Sequence, residues 1–76
     1  MPLSDMQRGN AMGLWKMQYP HLASNLGDPQ RLRGMADMYG NMAMKADMKA
    51  DAAGYRDFST RALQAKQALR ELYGIE

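Results

Sequence analysis

The sequence predicts an all-α protein built on an antiparallel helical hairpin, and three observations predict it. The β-branched strand formers are nearly absent, with no Val, a single Ile (Ile75) and a single Thr (Thr60). Ala, Met, Leu, Gln, Arg and Lys, all good helix formers, dominate instead. Apolar residues also recur at three- and four-residue spacing along two successive stretches, the signature of a helix face.

The first helix is expected over about 4–19. Ser4 can cap it and Gln7, three residues on, completes a capping box, while Pro20 lacks the N–H that would continue it. Gly9, Asn10 and Gly13 weaken this helix, and residues 21–27 read as a single helical turn or a loop. Asp28 as cap and Pro29 at the first helical position open a second helix over about 29–53, with Gly54 expected as the left-handed residue that ends it. A third helix follows over about 55–73 and stops at Gly74.

Leu32, Ala36, Tyr39, Ala43, Ala46, Ala50 and Ala53 form a heptad seam that is mostly Ala, and Tyr55, Phe58, Ala62, Ala65, Leu69 and Leu72 form its counterpart. Two such seams joined by a short turn specify a hairpin whose small contact residues let the axes approach toward the short end of the ~8–10 Å range. The shorter first helix packs on it, giving a three-helix arrangement in one small domain spanning 1–76.

A chain of 76 residues without Cys has no disulfide or thiolate-metal staple, and a reducing compartment suits it. A core of this size rarely supplies more than ~3–5 kcal/mol of net stability, so oligomerisation or docking on a partner is the staple that remains. The start of the chain lacks the basic and apolar regions of a signal peptide, and no apolar run reaches the ~18–20 residues that span a bilayer. A protein of the cytoplasm, or of a virion assembled there, with no membrane partner is therefore expected. A net charge of +2 leaves nucleic-acid binding open without pointing to it.

Off the seams, Met44 and Met48 project nearly opposite the core face of the second helix, and flexible Met is over-used at adaptable binding surfaces. The first helix carries Met12, Trp15 and Tyr19 in one stripe with Arg8; Trp15 is either the anchor of an interface or the plug of the hairpin core. Met12, Trp15, Tyr19, Met44 and Met48 are thus the candidate partner contacts. Arg56, Lys66 and Arg70 line one side of the third helix, and Lys45 with Lys49 form a pair on the second; they are candidate contacts for phosphate or an acidic partner, against the ordinary reading of a solvated face. The two basic groups merge only if the hairpin brings those flanks together.

Catalytic chemistry finds little support. His21 is the only imidazole, so one chain cannot build a two-His metal site, and there is no Cys nucleophile and no Gly-rich phosphate loop. Asp47 and Asp51, one turn apart, are matched by Lys45 and Lys49 and read as surface charge. No enzyme activity, cofactor or metal is expected.

The stretch from Met44 to Glu76, with Ala53-Gly54-Tyr55 at one turn and Tyr73-Gly74 at its close, resembles the oligomerising hairpin of bacteriophage small terminase subunits and of similar small phage accessory proteins. That resemblance implies an assembly role in DNA packaging. The segment before Asp28 is too short and Gly-rich for the DNA-binding helix-turn-helix that such subunits carry. Three readings follow: a helical interaction protein of phage type (a virion, assembly or inhibitor component) that docks on a larger partner or on itself, a nucleic-acid-binding adaptor, or a small-ligand-binding helical bundle.

Overall fold

A computed structural model describes residues 3–75. Met1, Pro2 and Glu76 lie outside the described residues, so the expected lack of a signal peptide is untouched at its first two positions. The described chain is α1 (Asp5–Gln18), a 3₁₀ helix (Pro20–Asn25), α2 (Pro29–Met48) and α3 (Ala52–Tyr73), with no strand among the described residues.

The helix starts follow local chemistry. The Ser4 hydroxyl accepts the Gln7 N–H at 3.3 Å and the Gln7 side chain accepts the Ser4 N–H at 3.1 Å, which satisfies two orphan donors of α1. The Asp28 carboxylate accepts the Gln30 N–H at 2.9 Å, with Pro29 in the position where a missing N–H costs nothing. Gly74 closes α3 in the left-handed conformation, φ 69°, donating its N–H to the Arg70 carbonyl at 3.0 Å.

The hairpin turn differs from the expected one. α2 ends at Met48, five residues before Ala53, and the left-handed residue is Ala50, φ 58°, not Gly54. The Ala50 N–H reaches the Asp47 carbonyl at 3.0 Å and the Asp51 N–H reaches the Ala46 carbonyl at 2.8 Å, the double bond of a Schellman close. Asp51 then caps α3 by accepting the Gly54 N–H at 2.9 Å, a bond with no counterpart at Ala53 or Tyr55, so α3 starts at Ala52. Gly54 therefore sits inside the first turn of α3, where a Cβ would lie 2.9 Å from the Asp51 Cγ and 3.3 Å from the Ala46 Cβ.

The seams pack as their spacing requires up to this turn. Leu32, Ala36, Tyr39, Ala43 and Ala46 are buried against Ala62, Ala65, Leu69 and Leu72, joined by Ala68. Ala50, Ala53 and Tyr55, expected in the seam, are exposed, because the earlier turn takes them out of the helix pair, and Phe58 is half-buried. The other half of the core comes from outside the hairpin. Leu22 and Leu26, from the 3₁₀ segment and the bend after it, are completely buried among Leu32, Ala65, Ala68, Leu69 and Leu72. The Tyr73 hydroxyl donates to the Leu26 carbonyl at 2.6 Å and pins that bend to the end of α3.

A non-Gly residue in the left-handed region costs roughly 1–2 kcal/mol. Ala50→Gly should therefore raise the stability measured by urea unfolding by about 1 kcal/mol, whereas Asp51→Ala should lower it by about 1 kcal/mol through loss of the cap. No gain from Ala50→Gly together with no loss from Asp51→Ala would show that the chain turns elsewhere.

Candidate functional site

The candidate contacts divide between the interior and two different flanks of the hairpin. Trp15 is interior: it is 8% exposed and packs in the same cluster as Leu22, Leu69 and Leu72, with its indole N–H donating to the Glu71 carboxylate at 3.1 Å. It is the plug of the hairpin and not an exposed anchor. Met12 and Tyr19 pack against the same cluster. Arg8, on the same stripe, turns inward as well. Its Nε donates to the Leu72 carbonyl at 2.8 Å and its guanidinium lies 4.9 Å from the centre of the Tyr73 ring, so it caps the end of α3.

Trp15 and Tyr19 also begin an aromatic row that spacing within one helix could not disclose. Their ring centres are 4.7 Å apart; Tyr19 meets His21 edge-on at 6.2 Å, His21 meets Tyr39 at 6.4 Å, and Tyr39 stacks on Phe58 at 6.4 Å. The row links α1, the 3₁₀ segment, α2 and α3 in turn. Arg61 covers its far end, 5.8 Å from the Tyr39 ring centre and 3.3 Å from Asp57. The Tyr39 hydroxyl first, and then Asp57, push the already high pKa of that guanidinium further up.

Because α1 and the 3₁₀ segment close one side of the hairpin, the opposite side is left to solvent. Three shallow grooves follow one another along it, sharing Tyr55, Ser59, Leu63 and Lys66 as they pass from the turn toward the start of α2. Met44 (63% exposed) and Leu63 (55% exposed) stand as its ridges, over a floor of Gly40, Ala43, Ser59 and Ala62. Met44 and Met48 are both exposed as expected, but only Met44 lines the open side; Met48 (85% exposed), at the end of α2, lines none of the three grooves. Leu63 and Tyr55 were not among the expected contacts. Leu63 falls within the basic stripe of α3, where its charged neighbours masked it, and Tyr55 was assigned to the seam.

The basic residues do not merge. Lys66 and Arg70 line the open side with Arg33 and Asp37, and Arg56 lines it beside Asp47. Lys45 and Lys49 lie on the other flank, next to Met42 and Phe58. All five cations named from the sequence are exposed, and none of them forms an ion pair among the described residues. Among the described residues no cluster of three or more His, Asp or Glu could hold a metal ion, and no helix is long and apolar enough to cross a membrane.

Truncating a buried Trp costs ~3–5 kcal/mol, comparable to the whole net stability of a core this small. Trp15→Ala should therefore abolish the cooperative thermal transition followed by circular dichroism. A variant melting within a few degrees of the parent would mean that α1 does not close the hairpin. No protein-family model, curated protein or solved structure matches the chain.

Proposed function

We propose that this chain is a small, non-enzymatic docking protein that acts through the open side of its α2–α3 hairpin. The observation that carries the reading is the asymmetry of that hairpin. One side is closed by Trp15, Leu22 and Leu26, while the other presents Met44, Leu63 and Tyr55, each about half exposed or more, along an uninterrupted groove. Exposed apolar side chains gathered on one concave surface are the usual mark of an interaction site. Lys66, Arg70 and Arg56 at its margins suit a role in orientation and encounter rate.

A second exposed apolar group, Met6, Leu14 and Met17 on α1, is interrupted by Asn10 and Gly13, and only Leu14 of the three lines a groove, a smaller one between α1 and α3. The division of the cations between two flanks favours protein docking over a phosphate-backbone track, which wants one continuous basic strip. The likeness of residues 44–76 to the hairpin of small terminase subunits supports an assembly role of phage type, in a virion or in the cytoplasm of a host.

A photo-cross-linking phenylalanine analogue placed at Tyr55 in the native host should yield protein adducts, and the same group at Arg31, on the exposed start of α2, should yield none. Met44→Gln combined with Leu63→Gln should remove the Tyr55 adducts while leaving helicity unchanged. Adducts to nucleic acid, or none at all, would contradict the reading.

A further inference from the structure

We infer that the open side of the hairpin is occupied by a second copy of this chain, related by a two-fold axis that runs along the hairpin, so that each α2 lies against the partner's α3. The inference rests on the docking reading above and names its occupant.

Residues of α2 and α3 line the open groove together in successive stretches. Gly40 and Met44 line its middle with Leu63 and Ser59, Asp37 lines it with Lys66 toward the start of α2, and Asp47 lines it with Arg56 toward the turn. In all but the outermost of these stretches the α2 member and the α3 member are opposites. A bulky apolar side chain shares its stretch with a small residue, or a carboxylate shares it with a cation. A two-fold axis along the hairpin places the α2 residue of one copy over the α3 residue of the other in the same stretch. Met44 then enters the hollow at the partner's Ser59, Leu63 enters the hollow at the partner's Gly40, Asp37 meets the partner's Lys66, and Asp47 meets the partner's Arg56. Asp37, Asp47, Arg56 and Lys66 have no ion-pair partner among the described residues of the isolated chain. Only the outermost stretch, Arg33 against the partner's Arg70, brings like charges together, and it lies at the solvent-exposed rim where salt screens it.

The alternative two-fold, with the hairpins pointing in opposite directions, lays α2 on the partner's α2. It sets Asp37 against the partner's Asp47 and Lys66 against the partner's Arg56, so the charge pattern selects the first arrangement. A Cβ on Gly40 would meet nothing within 4 Å in the isolated chain, so the space beside Leu63 is open there. The face is about 30 Å long, from the ~1.5 Å rise of twenty helical residues, and about 20 Å wide across two helices packed ~10 Å apart. That is about 600 Å² per partner, at the low end of the range for specific interfaces, about 600–1,000 Å² a side.

Gly40 gives the sharpest test, since the isolated chain tolerates a side chain there and the dimer does not. Sedimentation equilibrium should return twice the 8.6 kDa chain mass at micromolar concentration. Gly40→Arg should keep or raise helicity but weaken dimerisation by roughly 10- to 100-fold, the effect of overfilling a packed site. The chain has no native Cys, so disulfide trapping reads the geometry cleanly. A mixture of Asp37→Cys and Lys66→Cys chains should cross-link, whereas a mixture of Asp37→Cys and Asp47→Cys chains should not. A monomeric parent chain, an unaffected Gly40→Arg dimer, or cross-linking of the second mixture in place of the first would overturn the inference. A monomer whose Tyr55 probe still captures a different protein would refute the second copy alone, and a monomer with no adduct would refute the docking reading as well.

Discussion

The alanine seam between α2 and α3 is the constraint on which the rest of the structure depends. Ala36, Ala43 and Ala46 facing Ala62, Ala65 and Ala68 let two helices of about twenty residues run in close contact, but they bury little apolar surface for their length. A hairpin of this composition cannot form a core from its own seam. The large side chains that complete it, Trp15, Leu22 and Leu26, arrive from the first third of the chain and enter from one side. Closure on that side and openness on the other follow from the same shortage of bulky residues in the seam.

The closing side is held by more than apolar contact. The Arg8 guanidinium on the Leu72 carbonyl, the Trp15 indole on Glu71 and the Tyr73 hydroxyl on the Leu26 carbonyl each tie the N-terminal third to the last turns of α3. All three bonds fall near one end of the hairpin, and toward the turn the aromatic row of Tyr39 and Phe58 takes over. The half of the hairpin nearest the turn therefore has the least cover from its own chain. The exposed Met44 and Tyr55 are found there.

The fold class, the helix pair and the caps at Ser4, Asp28 and Gly74 were legible because each rests on local chemistry within four residues. The turn was not: Gly54 looked like the left-handed residue by type, but the Asp51 cap is satisfied one turn earlier and the strain falls on Ala50. Leu22 and Leu26 were missed because a short 3₁₀ segment has no periodicity to reveal which side chains face inward. Trp15 was readable as important, but the choice between interface anchor and interior plug stayed open, since a single amphipathic stripe does not say what it meets. Of the candidate surface, Met44 was visible as an apolar residue off the seam, while Leu63 among cations became visible only once α2 was seen beside it. The stretches of opposites along the groove depend on the register of two helices, which no single-helix pattern contains.

One side of the hairpin is closed by the chain itself, and on the proposed reading the other is closed by association. The methionines report both, and methyl spectra recorded with a soluble paramagnetic agent over a dilution series test the claim most directly. Met12 and Met35, packed on the core, should stay protected at every concentration, and the exposed Met6 and Met17 should be relaxed at every concentration. Met44 should be protected in concentrated solution and lose that protection on dilution. A Met44 methyl that behaves like Met6 throughout the series would contradict the account.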